Sequence, residues 1–361
     1  MNFAFRVDAS AEIGTGHFGR CFTLAKKLRK AGHSVLFICR HIPANLIGLI
    51  RDAECEIAIL DGKQDARSSG DLYHSSWLGV SQELDASQCI RELKHLDERL
   101  DWLIVDHYSL DSRWESKLKV YAKRVCVIDD LADRQHDCNL LIDQNLYKNP
   151  HSRYSNLVPE DCQLMLGPDF AILRDEFKNL KKIVKSHDGS LKKIVIFFGG
   201  SDLHNFTGIT VSALGELGLD GITVDVVVGN LHPEIKMIQA RCEELKYILH
   251  VQTESIGAIF LSADLCIGGG GVTTWERCCL GLPSLIVSIG RNQIQIAKDL
   301  DMVQGCKYLG HASSVTKEII QENIKVLINH PNFLKVISKK GYSLVDGLGT
   351  DKVFSILSDK K

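Results

Sequence analysis

Short apolar runs that alternate with amphipathic stretches constrain the fold of this chain more than any other feature. The runs are rich in β-branched and aromatic residues, and each is followed by a turn and a stretch with helical periodicity. In the first half of the chain they occupy residues 3–7, 34–39, 56–60, 102–106 and 124–129. In the second half they occupy residues 194–198, 223–228, 247–250, 265–267 and 284–288. Strands separated by helices in this order form parallel sheets, so the alternation predicts an α/β protein.

A charged interval from residue 174 to residue 193 separates the two series and indicates a boundary between two domains. We expect an N-terminal domain at residues 1–175, a link at 176–189 and a C-terminal domain at 190–361, both doubly wound and Rossmann-like. A length of 361 residues allows about two such domains, each with its own core. Open α/β sheets bind ligands outside the carboxyl ends of their strands, so the domains are expected to face each other across a ligand-binding cleft.

The composition excludes several classes of protein. Lys and Arg number 43 and Asp and Glu 45, a net charge of -2, whereas nucleic-acid-binding proteins usually carry a basic excess. No apolar run approaches the roughly 18 to 20 residues of a bilayer span, and residues 1–6 are too short and too soon charged for a signal peptide. The 12 cysteines include no C-x-x-C pair, so we expect reduced, buried thiols and no zinc site. The sequence therefore predicts a cytoplasmic protein without nucleic-acid or membrane partners.

The loop after the first predicted strand carries two glycines and then a histidine, in the order Gly14, Thr15, Gly16 and His17. Glycines at the start of a helix let a ligand approach the free backbone amides there. The positive end of the helix dipole disfavours imidazolium at this position, so His17 is a candidate general base. A helix cap or a packed histidine accounts for the same residue equally well on this pattern alone.

Two further predicted strands end in polar clusters. Asp106, His107 and Tyr108 follow one of them, and Asp129 and Asp130 follow the next. Side chains just past the carboxyl ends of parallel strands are expected to face a ligand, so all five are candidates. The paired carboxylates are compatible with metal or acid–base chemistry, but no further ligands cluster near them in the sequence. A structural or substrate-orienting role is therefore favoured for this pair.

The second half contains two glycine-rich turns between a predicted strand and a helix. Residues 198–202 include Gly200 and Ser201, and residues 268–271 are four consecutive glycines. Four glycines cost conformational entropy, and the close approach of a diphosphate to bare amides explains them better than a flexible turn does. Neither turn matches the G-x-x-x-x-G-K-[ST] pattern, which disfavours ATP hydrolysis.

Polar residues accompany the second glycine-rich turn. Glu276 is expected in the first turn of the next helix, where a carboxylate either accepts two vicinal ribose hydroxyls or stabilises the helix dipole. Asn292 and Gln293 follow another predicted strand and supply donors and acceptors at its end. Loop amides are common, so this pair is a weak signal by itself.

Six motifs, taken in chain order, resemble the UDP-sugar hydrolase family of pseudaminic acid biosynthesis. They are residues 8–21, 106–108, 128–145, 167–174, the Gly-Gly-Ser-Asp turn at 199–202, and residues 274–283. The resemblance spans nearly the whole chain. It implies the two-domain fold of the GT-B glycosyltransferases, notably that of the GlcNAc transferase that forms lipid II.

The resemblance also implies an activity and a set of site residues. The activity is hydrolysis of UDP-2,4-diacetamido-2,4,6-trideoxy-β-L-altropyranose to the free sugar and UDP, with C1–O cleavage, inversion and no required metal or other cofactor. The family's catalytic residues correspond to His17, which would act as the base, Tyr108 and Asn292. Substrate contacts are expected from Gly14, Gly16, Arg20, Gly200, Ser201, Gly269, Gly270, Gly271, Glu276 and Gln293. We expect a monomer whose partner is the UDP-sugar.

Two other functions stay open. A glycosyltransferase of the same architecture uses a UDP-sugar donor with an acceptor other than water, and often has a basic or apolar surface for membrane-linked acceptors, which this sequence does not indicate. The second possible function is that of a module that binds a nucleotide sugar without turning it over. Release of UDP from the UDP-sugar alone selects the hydrolase, and tight binding without turnover selects the module.

Overall fold

The chain folds into two units, each with its own sheet. A computed structural model describes residues 1–61, 70–200, 202–230 and 232–359. The first unit contains Met1–Asn145, Asn149–Ile172 and the C-terminal segment from Gly349, and the second contains Leu146–Lys148 and Leu173–Leu348. Within the described ranges, no helix is both long enough and apolar enough to cross a bilayer.

The first unit is built on a parallel sheet with seven strands in the part of the chain that the structure describes. They are β1 (Asn2–Val7), β2 (Ser34–Cys39), β3 (Glu56–Ile59), β4 (Leu100–Asp106), β5 (Ala122–Ile128), β6 (Leu140–Asp143) and β7 (Gln163–Leu166). Their order is β3-β2-β1-β4-β5-β6-β7, so the chain winds outward from β1 in both directions. β1 pairs in parallel with β2 and β4, with Phe5 opposite Phe37 and Ile104.

Helices cover both faces of this sheet, which explains why its central strands are apolar on both sides. The helices are α1 (Gly16–Lys30), α2 (Ala44–Asp52), α3 (Gln82–Leu93), α4 (Ser112–Leu118) and α5 (Pro150–Arg153), with short 3₁₀ turns at Ser75–Leu78, Lys119–Tyr121 and Pro168–Phe170. One buried cluster contains Phe5 and Phe37, and a second, on the opposite face, contains Leu103 and Trp114.

The second unit has a parallel sheet with six strands among the described residues. They are β8 (Lys193–Phe197), β9 (Thr223–Val228), β10 (Ile248–Val251), β11 (Leu265–Gly269), β12 (Ser284–Ser288) and β13 (Lys307–His311), in the order β10-β9-β8-β11-β12-β13. The helices are α6 (Asp175–Lys181), α7 (Phe206–Leu217), α8 (Ile235–Leu245), α9 (Ile256–Ser262), α10 (Thr273–Cys279), α11 (Asn292–Met302), α12 (Lys317–Asn329) and α13 (Pro331–Leu344). Two parallel-sheet units confirm the predicted α/β fold class.

The units divide the chain differently from the expected boundaries at residues 175 and 190. The interval expected as a link, 176–189, includes most of α6, and Phe177 on this helix is fully buried. The last helix, α14 (Gly349–Leu357), belongs to the first unit, although the sequence pattern places it in the C-terminal domain. Val353 and Leu357 lie one helical turn apart and join the buried cluster of Phe5. Burial of this apolar stripe explains why the chain returns to the first unit.

The carboxyl ends of neighbouring strands bring polar residues together in the first unit. The consecutive neighbours β1, β4, β5 and β6 end at or next to Asp8, Asp106, Asp129 and Asp143. Parallel strands end at the same edge of a sheet, which is where open α/β folds bind ligands. This edge positions the candidate site.

Candidate active site

The loop between β1 and α1 fixes the backbone ahead of His17. Gly14 has φ +77°, a left-handed conformation that glycine adopts without strain. Its N–H donates to the Ser10 carbonyl at 2.8 Å, and the Ser10 hydroxyl accepts the Ile13 N–H at 3.0 Å. Helix α1 begins at Gly16, so His17 lies in its first turn. The loop glycines therefore shape the turn that presents His17.

His17 makes a short contact with a carboxylate at the end of β4. Its Nδ1 lies 2.6 Å from Oδ1 of Asp106. An ionised carboxylate only accepts hydrogen bonds, so this contact favours the tautomer with the ring proton on Nδ1 and Nε2 as the proton acceptor. The His17 side chain is 10% exposed. The site therefore holds a histidine whose orientation and tautomer are set by a buried carboxylate.

Asp106 is also the ion-pair partner of Arg20, which lies one turn after His17 on α1. Arg20 Nε donates to Oδ2 at 2.6 Å and Nη2 donates to Oδ1 at 2.7 Å, which makes a bidentate pair. Burial opposes ionisation of Asp106, but the Arg20 charge and the contact with His17 outweigh it and hold the pKa of Asp106 well below its ordinary value. Asp106 is therefore an anion at neutral pH. Arg20, expected to contact substrate, is engaged with a protein carboxylate.

Tyr108 and Asp130 lie beside this pair. The Tyr108 hydroxyl donates to Oδ1 of Asp130, and the Asn145 side-chain amide donates to Oδ2 at 3.0 Å. The Tyr108 ring meets the His17 ring edge-on, with centroids 4.5 Å apart. Burial and the Asp130 charge raise the pKa of Tyr108, so it stays a neutral hydrogen-bond donor. The structure thus brings Tyr108 to His17 and shows Asp130 as the acceptor that holds the tyrosine.

His107 contacts a different set of residues from its neighbour Asp106. Its Nε2 lies 3.2 Å from Oδ2 of Asp8, and its Nδ1 accepts the Ser109 N–H at 3.1 Å. Asp8 is also paired with Arg6 at 2.6 Å, and both are buried. Successive residues at a strand end point in opposite directions, so 106–108 do not face one ligand together. His107 stabilises the strand ends instead of joining the His17 cluster.

Asp129 is paired inside the first unit. Its Oδ1 lies 2.8 Å from Nη1 of Arg134, and its Oδ2 accepts the Ala132 N–H at 2.9 Å. Burial opposes ionisation, but Arg134 and His136 outweigh it and lower the pKa of Asp129 to about 2. These contacts favour the structural role for Asp129. Among the described residues, no group of three or more His, Cys, Asp or Glu side chains is arranged to hold a metal ion.

The four consecutive glycines lead from β11 into α10, and packing explains the first of them. A Cβ on Gly268 would lie 2.2 Å from the carbonyl oxygen of Phe197 in the neighbouring strand. A Cβ on Gly269 or Gly271 would come no closer than 3.7 Å and 3.8 Å, respectively, to other atoms, which is ordinary contact. Packing therefore does not explain glycine at these two positions, which are compatible with the close approach of a ligand.

Gln293 holds the glycine-rich turn in place. Its Oε1 accepts the Ile289 N–H at 3.0 Å and the Gly270 N–H at 3.2 Å. The Gly270 amide and the Gln293 oxygen, both expected to contact substrate, are thus hydrogen-bonded to each other. Asn292 is the first residue of α11 and is partly exposed.

Glu276 lies in the first turn of α10, as predicted. Arg174 Nη2 donates to its Oε1 at 3.1 Å, whereas its Oε2 is buried and has no hydrogen-bond partner among the described residues. Burial raises the pKa of Glu276 against the opposing charge of Arg174. An unsatisfied buried acceptor is costly, and a ligand hydroxyl that donates to Oε2 would remove this cost.

A fully buried arginine supports the same turn. Arg277 Nη2 donates to the Gly269 carbonyl at 2.6 Å and to Oγ1 of Thr274 at 3.0 Å. Arg277 is 0% exposed. A fixed positive charge against a glycine-rich turn favours an anion there.

The turn after β8 is held by its own contacts. Asp202 accepts hydrogen bonds from both the N–H and the hydroxyl of Thr207 at 2.7 Å, which ties the turn to the start of α7. Gly200 packs against Gly229, where a Cβ would lie 2.2 Å from the Gly200 carbonyl oxygen. Ser201, expected to bind substrate, lies outside the described residues.

Sequence reasoning missed several residues that the structure places near the expected ones. Asn145 and Arg174 are the last residues of two of the six motifs, and that position is the only signal that could have found them. Trp77 lies in a 3₁₀ turn with its ring centroid 6.3 Å from that of His17. Nothing in the periodicity around Trp77 indicates that it belongs beside a strand end.

Comparison with known proteins finds relatives at low identity. No family model matches the chain. The spore coat polysaccharide biosynthesis protein SpsG of Bacillus subtilis (strain 168) is 25% identical over 369 aligned positions, which cover 99% of this chain and 98% of that protein. The UDP-2,4-diacetamido-2,4,6-trideoxy-beta-L-altropyranose hydrolase of Campylobacter jejuni subsp. jejuni serotype O:2 is 27% identical over 245 residues, which cover 66% of this chain and 73% of that protein.

Solved structures match the fold over almost the whole chain. MurG of Acinetobacter baumannii has a TM-score of 0.66 at 15% identity, covering 99% of this chain and 98% of its own. The spinosyn rhamnosyltransferase SpnG has a TM-score of 0.61 at 15% identity, covering 98% of this chain and 99% of its own. Identities this low establish the fold alone. The chain therefore has the two-unit α/β fold of the GT-B glycosyltransferases.

Proposed function

We propose that this chain is a nucleotide-sugar-dependent enzyme that transfers a glycosyl group, with His17 as the general base. One observation carries the proposal: Nδ1 of His17 lies 2.6 Å from Oδ1 of Asp106. A carboxylate at this position favours the tautomer with the proton on Nδ1, in which Nε2 is the proton acceptor. A base oriented by a buried carboxylate is the arrangement that enzymes use to activate a hydroxyl or a water. The fold and the two relatives named for polysaccharide and nucleotide-sugar chemistry support the proposal.

In the proposed reaction an acceptor oxygen attacks C1 of the sugar while its proton moves to Nε2 of His17. The bond from C1 to the diphosphate oxygen breaks on the opposite face, its electron pair leaves with UDP, and the configuration at C1 inverts. Asp106 stabilises the imidazolium that forms, and Arg20 keeps Asp106 ionised. UDP is already a good leaving group, so the protein's main tasks are positioning the acceptor and holding the diphosphate.

We assign recognition of the nucleotide to the second unit. At Gly269 and Gly271 a diphosphate can approach the bare backbone, and the buried charge of Arg277 favours an anion at the same turn. Glu276 Oε2, which is buried without a partner among the described residues, is the acceptor for a ribose hydroxyl. Asn292 remains a proposed contact to the sugar or the acceptor.

The acceptor separates a glycosyltransferase from a hydrolase, and we favour the glycosyltransferase. The relative named for polysaccharide biosynthesis aligns with 99% of this chain, whereas the named hydrolase aligns with 66%. Hydrolysis is the second candidate, favoured by that hydrolase and by the motifs that resemble its family. The His17–Asp106 pair serves a sugar hydroxyl and a water equally well.

Incubation with UDP-sugars tests both candidates. UDP release is measured with UDP-N-acetylglucosamine and with UDP-2,4-diacetamido-2,4,6-trideoxy-β-L-altropyranose, each with and without an added bacterial polysaccharide fraction. Release that requires the polysaccharide and labels it supports the glycosyltransferase. Release without it, accompanied by free sugar, supports the hydrolase. A folded protein that binds UDP but releases none under either condition contradicts the proposal.

A further inference from the structure

Three aromatic rings lie together beside His17, and we call them the aromatic cluster: His74, Trp77 and Tyr108. The Trp77 indole stacks on the Tyr108 ring, with centroids 5.6 Å apart and an interplanar angle of 27°. The His74 ring lies 4.3 Å from Trp77 and 5.2 Å from Tyr108. The His17 ring is 4.5 Å from Tyr108 and 6.3 Å from Trp77. The cluster therefore borders the proposed base directly.

The segment that carries His74 and Trp77 is anchored to the first unit. The Ser109 hydroxyl donates to the His74 carbonyl at 2.5 Å. Leu78, the next residue after Trp77, is 1% exposed and belongs to a buried apolar cluster. Gly79 then takes φ +72°, which lets the chain turn after the 3₁₀ turn. The indole is therefore held in position by contacts on both sides of it in the sequence.

Trp77 differs in exposure from the other three tryptophans. Trp102, Trp114 and Trp275 are at most 2% exposed, whereas Trp77 is partly exposed. Complete burial of an indole stabilises a protein. Trp77 is held in place but stays partly in contact with water, so part of this stabilisation is available only if a ligand covers the ring. Because Trp77 lies beside His17, a ligand bound at the proposed site is the group that would cover it.

We infer that the aromatic cluster binds a pyranose ring. One face of a pyranose presents C–H groups that pack on an aromatic ring, while its rim of hydroxyls stays available for hydrogen bonds and for reaction. A ring on Trp77 lies within reach of His17. The inference rests on the proposed function, because it identifies the sugar ring on which His17 acts. Two sources supply such a ring: the sugar of the UDP-sugar donor and the sugar of an acceptor.

Quenching of tryptophan fluorescence by acrylamide reports on Trp77, because the other three tryptophans are buried. Saturating UDP-N-acetylglucosamine or UDP-2,4-diacetamido-2,4,6-trideoxy-β-L-altropyranose should lower the quenching constant by about half, and UDP should leave it unchanged. The Trp77→Phe protein should show weak quenching with and without ligand. If the UDP-sugars protect Trp77 and free N-acetylglucosamine does not, the bound ring is that of the donor. If free N-acetylglucosamine also protects Trp77, the ring is that of an acceptor.

Kinetics supply a second readout. Trp77→Ala should raise KM for the UDP-sugar by about tenfold with a smaller change in kcat. Trp77→Phe should have a KM close to that of the wild type, because phenylalanine keeps an aromatic ring at this position. Phe333→Ala is the matched control, since Phe333 is an aromatic residue of the second unit that is 51% exposed. Melting temperatures of all three variants should stay close to that of the wild type.

Three results would overturn this inference without touching the proposed function. Protection of Trp77 by UDP alone would show that a nucleobase occupies the cluster. An unchanged KM in a folded Trp77→Ala protein would show that the ring packs without binding sugar. A wild-type protein that turns over either UDP-sugar, while neither the UDP-sugars nor free N-acetylglucosamine changes the quenching, would leave the proposed function intact and show that the aromatic cluster does not bind the sugar ring. If no turnover and no protection occur with any of the probes, both proposals fail.

Discussion

Asp106 ends a strand whose other residues are largely apolar and buried, and it stays ionised because Arg20 holds both of its oxygens. A buried carboxylate without such a partner would take up a proton. It could then no longer accept a hydrogen bond from Nδ1 of His17 and hold the ring in place. At the scale of single residues, the proposed chemistry therefore depends on three side chains together, two from α1 and one from β4.

Replacing Asp106 tests this dependence. Asp106→Asn should reduce turnover by about 10² to 10⁴, because an amide no longer enforces the reactive tautomer or stabilises imidazolium. It should also lower the melting temperature, since Arg20 becomes a buried charge without its bidentate partner. Asp101→Asn, at the opposite end of β4, is the control and should keep wild-type turnover. Wild-type turnover in a folded Asp106→Asn protein would remove the carboxylate from the mechanism.

Glu276 is the residue on which nucleotide binding in the second unit is expected to depend. Glu276→Gln should weaken UDP binding by about 1 to 3 kcal/mol, because an amide is a poorer acceptor for a hydroxyl than a carboxylate is. Titration calorimetry measures the change, with the exposed Glu243→Gln as the control. Unchanged UDP affinity in the folded variant would show that Glu276 does not contact UDP and only forms the ion pair with Arg174.

At the scale of elements, the sequence predicts most of the sheet. All ten apolar runs that it indicates overlap strands of the structure. Strands β6 and β7 escape prediction because no helix separates β5 from β6 and only the four-residue α5 separates β6 from β7, so the alternation of apolar runs with helical stretches is missing there. Strand β13 offers only Tyr308 and Leu309 as consecutive apolar residues before Gly310. Apolar runs this short do not distinguish a strand from part of a helix. The motifs around His17 and the consecutive glycines could be placed correctly because each follows an apolar run already assigned to a strand, residues 3–7 for the first and 265–267 for the second.

Asp143, at the end of β6, is expected to make the free energy of unfolding depend on pH. Burial, together with the nearby Asp130 charge, raises the pKa of Asp143 to about 8. An unfolded aspartate has a pKa of about 3.9, so between about pH 4 and 8 the folded state keeps a proton that the unfolded state releases. The free energy of unfolding should therefore fall as pH rises through this range. Asp143→Asn should flatten the fall in urea titrations between about pH 5 and 8, and an unchanged slope would show that Asp143 is ionised when folded.

The last helix offers a test of the division into units. Leu357 is fully buried in the core of the first unit, so Leu357→Ala should destabilise that unit by about 2 to 5 kcal/mol. Leu348→Ala, at a leucine that is 39% exposed, should have little effect. Hydrogen exchange locates the loss, which should appear in strands β1 to β7. Loss confined to β8 to β13 would assign α14 to the other unit.

At the scale of the whole molecule, the sequence predicts where the candidate site residues lie better than it predicts which residues they contact. The first strand, the glycines and the histidine are close together in sequence, so a local pattern makes His17 a candidate. Arg20 and Asp106 are 86 residues apart, and only the parallel pairing of β1 with β4 brings them together. Trp77 reaches His17 through a segment without periodicity, which no rule based on spacing could assign.

The most direct test of the account is UDP release by His17→Asn, measured beside its affinity for UDP. If His17 is the base, release should fall by about 10² to 10⁴ while UDP affinity and melting temperature stay near wild type. His95→Asn, which changes an exposed histidine of the same unit, should release UDP at the wild-type rate. A stable His17→Asn protein that releases UDP as fast as the wild type would contradict the account.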